Sequence, residues 1–277
     1  MTVSLPAPEA FVAALGPAVR QAAAIARALE GRVANRPKRG EARAAKAALT
    51  LADTAAQEAI LVPLFEHFPY VRVEAEEETE GARRFPARSD ACVVVDPIDG
   101  TLHSYLEGRG PYAVMVGLAL GERFEAALVA LPREGLFFEA VRGHGARSAR
   151  AGGPPREARL HTVGDRVIVS HEMPEEVQCR LRESGWEVVF GCGGAISIAP
   201  LIPGVRAGLR LAPAEGSISL RGRIGALIAA EAGAVLRGAD GAPFPEELAA
   251  PARALLVARS EEDAEILAKA LGDLGGA

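Results

Sequence analysis

A chain of 277 residues, 49% apolar and 24% charged, is long and hydrophobic enough for one large or two ordinary folded domains, which excludes a disordered chain. The net charge of −5, with acids and bases interspersed, makes no broad basic face and argues against nucleic acid or an anionic membrane as partner. Three cysteines, Cys92, Cys179 and Cys192, form no CxxC pair, so neither a disulfide framework nor a structural zinc site is expected. Together with a start that lacks a signal-peptide pattern and the lack of a membrane-length apolar run, this points to a reducing cytoplasm.

In chain order, Phe11, Leu15, Val19, Ala22, Ala26 and Leu29 recur every three or four residues and predict a first helix that Gly31 closes. The Lys- and Arg-rich stretch through Asn35, Pro37, Lys38 and Gly40 reads as a solvated loop. A second helix is expected over residues 53–67, with Pro69 past its end. Strands follow over 71–75 and 91–95, the latter a continuous apolar run typical of a buried strand. Three more, over 112–120, 124–131 and 136–141, lie so close together that antiparallel pairing is expected. The Gly-, Ala-, Arg- and Pro-rich stretch 143–155 reads as an exposed loop, and a boundary there divides the chain into 1–145 and 146–277. The second half reads as α/β, with strands over 167–170, 187–190, 206–211 and 254–258 and helices over 195–201, 224–232 and 261–271.

The chemistry concentrates in Val93-Val94-Val95-Asp96-Pro97-Ile98-Asp99-Gly100-Thr101. A buried strand ends in two aspartates, and strand C-termini are where α/β proteins place ligands. Pro97 stiffens the turn, so both carboxylates and the Ile98 carbonyl can face one point, a hard-oxygen set suited to Mg2+. A cation also relieves the repulsion of two adjacent carboxylates. Gly100 and Thr101 offer free backbone N–H groups to a phosphate. Taken alone, Asp-x-x-Asp also fits a plain turn, with Asp99 as a helix cap and Asp96 solvated.

The string Asp96-Pro97-Ile98-Asp99-Gly100-Thr101 resembles the signature of the inositol monophosphatase family, whose superfamily includes fructose-1,6-bisphosphatases and phosphoadenosine phosphate phosphatases. The resemblance extends to Glu76-Glu77, 20 residues before Asp96, and to Thr50-Leu51-Ala52-Asp53, 23 residues before Glu76. It continues through 110–114, Pro132, 137–140 and 143–146 to Glu231-Ala232-Gly233. It implies an α+β fold, a layered α/β/α/β/α sandwich, and a Mg2+-dependent phosphatase acting on a small inositol, sugar or nucleotide phosphate. It further implies a homodimer. The implied roles put Glu76, Asp96 and the Ile98 carbonyl on a first Mg2+, and Asp96 with Asp99 on a second. Asp53 and Thr101 would orient or deprotonate a water, and Gly100 and Thr101 would hold phosphate oxygens. Glu74, Glu77 and Glu78 are expected to be solvated surface residues.

One departure stands out. The aspartate that the family keeps ten residues before the Glu231 position is Arg221 here, and Leu220 replaces a tryptophan. Two readings stay open: a guanidinium that pairs with phosphate in place of the second ion, or an impaired homologue that binds a phosphorylated ligand or protein partner, with Arg221 paired to Asp99. Phe190-Gly191-Cys192-Gly193-Gly194-Ala195 resembles a substrate-touching turn without its usual hydroxyl, and Glu215 falls near a substrate-binding glutamate position. Gly194, Glu215 and Arg221 complete the expected substrate contacts. His103 and Tyr105 are candidates for the pocket wall, while His67, His144, His161 and His171 show no ligand spacing.

Overall fold

A computed structural model describes residues 5–213 and 216–272. Seven strands form one sheet in sequence order: β1 (Arg72–Ala75), β2 (Ala91–Asp99), β3 (Ala113–Leu120), β4 (Arg123–Leu131), β5 (Leu136–Val141), β6 (Ala146–Arg150) and β7 (Arg156–Glu157). β1 and β2 are parallel and the other pairs antiparallel. A second sheet contains β8 (Arg166–Val169), β9 (Glu187–Phe190), β10 (Val205–Leu211), β11 (Val235–Arg237) and β12 (Ala254–Ala258) in the order β11-β12-β10-β8-β9. Here β8, β9 and β10 run parallel, while β12 is antiparallel to β10 and β11.

Among the described residues there are seven α-helices, all but the short α2 packed on the sheets: α1 (Pro8–Leu29), α2 (Ala44–Ala47), α3 (Leu51–His67), α4 (Glu175–Glu183), α5 (Gly193–Ser197), α6 (Ile224–Glu231) and α7 (Glu261–Leu271). Phe11, Leu15 and Val19 of α1 and Ile60, Leu61 and Leu64 of α3 pack on Val93, Val95, Val114 and Val116 of the first sheet. The opposite face, with Val94, Met115 and Val129, packs on Ile196, Ile224 and Ile228 of α5 and α6. The second sheet covers those helices and carries α4 and α7 on its outer face through Val167, Val169, Leu209, Leu181 and Leu267. This is the layered α+β sandwich expected from the sequence. β2 reads as unbroken apolar sequence because both of its faces are covered.

Two local expectations change. Residues 146–150 are a strand: Ala146 is buried on the α6 side of the sheet and Ala149 on the α1 side, and with one small residue per face among Arg147, Ser148 and Arg150 no alternation marked it as a strand. That strand and β7 add to the first sheet, and the chain reaches the second sheet only at Arg166. The sequence 175–183 also forms helix α4, held by Val177 and Leu181 on an otherwise polar surface.

Candidate active site

Side chains three apart point to opposite faces of a regular strand. β2 avoids this with a bulge between Asp96 and Asp99: Asp96 lies opposite Met115 and Asp99 opposite Ala113, so three steps on β2 match two on β3. Met115 and Ala113 share the face that packs toward α5, and the two aspartates therefore share it too. This face is met by the C-terminal ends of β8, β9 and β10, so the carboxyl ends of parallel strands from both sheets converge on one crevice.

Gly100 makes the junction. Its φ is +88°, and a Cβ there would lie 2.8 Å from Cys192 Cβ and 3.1 Å from Ser104 Oγ. Only glycine accepts both the left-handed backbone and this close approach of the two halves. Thr101–Leu106 follows as a short π-type turn.

Asp96 is buried, with 4% of its surface exposed. Its Oδ1 is enclosed without a hydrogen-bond partner, and its Oδ2 lies 3.6 Å from Arg221 Nε. Burial, then the charges of Glu76 and Asp99, hold its carboxyl well above the usual range; Arg221 opposes the shift. Glu76 lies 3.8 Å from Lys38 Nζ, which is also 2.7 Å from Glu77. Asp99 Oδ2 accepts a hydrogen bond of 2.6 Å from the Gly194 N–H.

Asp53 is fully buried at the third position of α3. Thr50 donates to its Oδ2 from the backbone N–H at 2.7 Å and from the hydroxyl at 2.6 Å. Its Oδ1 is 3.0 Å from Thr101 Oγ1, which is also 2.8 Å from the Ile98 carbonyl. One hydroxyl hydrogen serves these two acceptors in turn. Burial raises the Asp53 carboxyl, against the hydrogen bonds from Thr50 and Thr101. Asp53 is thus both a helix-capping residue and a neighbour of the signature threonine.

Several side chains behave differently from their sequence reading. Lys38 is ion-paired, not solvated, because its loop folds back over the end of β1. Glu77 is buried, and its backbone exchanges hydrogen bonds with the Gln57 side chain. Arg221 faces Asp96 and not Asp99. Tyr105 is a core residue: it is buried against Tyr112 and donates to the Ala26 carbonyl. Glu231 accepts from the Gly143 and Gly145 N–H groups, tying α6 to the first sheet. Cys192 is buried and its thiol is pushed well up, first by burial and then by Asp99, so it stays protonated. Glu215 lies outside the described residues.

His171, which carries no sequence signal, reaches the crevice from the end of β8. Its Nε2 is 3.2 Å from Ser104 Oγ, and its ring stacks on Phe190 and stands 4.8 Å from His103. Burial and then the neighbouring His103 lower its pKa to about 4, so the ring is neutral near pH 7.

The donor chemistry fits one divalent cation. Glu76 and Asp96 offer hard carboxylate oxygens, and the orphaned Oδ1 of Asp96 lacks the partner that a cation would supply. A second cation between Asp96 and Asp99 fits poorly, since Arg221 faces one carboxylate and Gly194 holds the other. Among the described residues no three His, Cys, Asp or Glu side chains converge as a ready-made metal site.

Comparison with known proteins gives a consistent picture. Residues 9–183 match the inositol monophosphatase family. Among solved structures, the Thermotoga maritima IMPase is 17% identical with a TM-score of 0.71, covering 94% of this chain and 97% of that one. A staphylococcal IMPase-I complexed with products is 17% identical, with a TM-score of 0.71 and 98% of each chain covered. An IMPase/NADP phosphatase complexed with NADP and Ca2+ is 16% identical, with a TM-score of 0.71 and 99% of each chain covered. No curated protein sequence matches the chain.

Proposed function

The chain belongs to the inositol monophosphatase family of metal-dependent phosphatases, and from that premise we propose that it hydrolyses a small phosphate monoester with Mg2+ held by Glu76 and Asp96. The observation that carries this reading is the buried, partnerless Oδ1 of Asp96 beside Glu76, with Asp53 of α3 held against Thr101 of the same signature turn. Ca2+ in the related IMPase/NADP phosphatase complex supports a divalent ion.

In this proposal the chain's own groups divide the work. Two hydrogen bonds from Thr50 fix Asp53 Oδ2 and leave Oδ1 toward Thr101. Asp53 accepts the proton of a water oriented by the Thr101 hydroxyl, and its raised pKa makes it a better base. The Gly100 and Thr101 N–H groups hold phosphoryl oxygens, and Arg221 adds a guanidinium that pairs with phosphate geometry. The Ile98 carbonyl would join Glu76 and Asp96 on the cation, and the Gly194 backbone adjoins the bound ester. When bound, Mg2+ supplies Lewis-acid polarisation of the phosphoryl group. The protein acts as a cytoplasmic homodimer on a small phosphorylated substrate. Among the described residues no helix is long and apolar enough to cross a membrane.

The test is phosphate release from inositol, sugar and nucleotide phosphates, with and without Mg2+, by wild type and Asp96→Asn. Mg2+-dependent turnover lost in Asp96→Asn is the expected result. A second reading is a catalytically impaired homologue that binds a phosphorylated ligand or a protein partner. What favours it is that the cluster is engaged from within, by Lys38, Arg221 and the Gly194 N–H. Absence of turnover above the Asp96→Asn background on every ester selects it.

A further inference from the structure

β10 carries two faces. Ala207 and Leu209 belong to the core beneath α4 and α7. Gly208 and Arg210 face α5 instead: a Cβ on Gly208 would lie 2.3 Å from the Ile196 carbonyl oxygen, so the helix sits directly on the strand there. Arg210, the next residue on that face, extends toward the crevice. Its guanidinium lies over two glycines. A Cβ on Gly193 would be 1.8 Å from Nη1, and one on Gly222 would be 2.7 Å from the same atom.

Those glycines adjoin the two contacts that the second half makes with the carboxylate cluster. Gly193 precedes Gly194, whose N–H holds Asp99. Gly222 follows Arg221, which faces Asp96. Arg210 therefore stands one residue behind both, at the rim of the same crevice. Other arginines nearby are matched: Arg206 lies 2.7 Å from Asp263, and Arg223 donates to the carbonyls of Pro245 and Glu247. Arg210 meets no carboxylate and no hydrogen-bond acceptor among the described residues. A half-buried guanidinium set over two glycines at the crevice rim presents its planar fork of donors in a geometry that suits an anion.

We propose that Arg210 receives a second anionic group of the substrate, so that the preferred ester carries a phosphate or carboxylate besides the phosphoryl group under attack. This deepens the phosphatase reading and rests on it. The ester phosphoryl group is met by Arg221 and the signature turn, and Arg210 is a separate cation beyond the two glycines, so an ester with one anionic group leaves it unused. Arg210 is on this account a specificity residue.

The experiment compares 2-phosphoglycerate with glycerol 2-phosphate, which differ by a carboxylate in place of a hydroxymethyl group. Both kcat/KM and affinity by isothermal titration are measured for wild type, Arg210→Gln and Arg210→Lys. Wild type is expected to prefer 2-phosphoglycerate tenfold or more in both readouts. Arg210→Gln is expected to lose that preference mainly through KM, and Arg210→Lys to restore part of it. A wild type without preference, or equal losses on the two esters in Arg210→Gln, overturns the assignment while leaving phosphatase activity intact. Retained binding preference without hydrolysis by any form removes the phosphatase reading and keeps the assignment.

Discussion

The Nε of Arg221 lies 3.6 Å from Oδ2 of Asp96, so a fixed cation faces a buried carboxylate of the cluster. A guanidinium cannot be deprotonated or displaced by chelation, unlike a bound ion. On the opposite side Lys38 reaches Glu76 and Glu77. Two side-chain cations thus balance part of a charge that would otherwise demand metal.

The consequence is a metal count. Wild type is expected to bind one Mg2+ per chain, and Arg221→Asp two, because the substitution removes the cation and adds an acid facing Asp96. Lys38→Gln leaves the count at one and tightens binding by about two- to tenfold, the scale of one partly screened charge. Isothermal titration without substrate reads all three. Two ions in wild type would show that Arg221 does not exclude one.

His171 gives a pH dependence. Its folded pKa of about 4 lies below the usual value for histidine. Between those values the unfolded chain binds the extra proton, so stability is full above about pH 6.5 and falls as pH drops toward 4. For a half-buried ring the loss is on the order of 2 kcal/mol. Urea unfolding of wild type and His171→Asn at pH 7 and pH 5 should show a larger loss in wild type. Equal losses would mean that His171 is not the group responsible.

Why some of this was legible and some was not follows from where each signal lives. β2 and the signature turn are local: an apolar run covered on both faces, then Asp-Pro-Ile-Asp-Gly-Thr. The helix α1 shows its buried face through spacing alone. Lys38 and His171 have partners far away in sequence, Glu76 and Ser104, and only the fold brings them together. Arg210 becomes distinctive because Gly193 and Gly222, distant in sequence, lie under its guanidinium, and only the fold brings them there. The bulge that turns Asp96 and Asp99 to one face was implicit in Pro97, yet its effect depends on register with β3.

Gly100 ties the halves together, and its substitution separates two costs. Gly100→Ala forces a Cβ into left-handed backbone, about 1–2 kcal/mol. It also places that Cβ 2.8 Å from Cys192 Cβ, a contact that only backbone movement relieves. Gly108 has a similar φ of +72° and nothing within 4 Å of its added Cβ, so Gly108→Ala measures the backbone cost alone. By urea unfolding, Gly100→Ala should lose about 1–3 kcal/mol more than Gly108→Ala, the range for overpacking. It should also weaken Mg2+ binding, since β2 must shift with the turn. Equal destabilisation by the two substitutions would mean that the approach of Gly100 to Cys192 carries no strain, and that the halves are held together elsewhere.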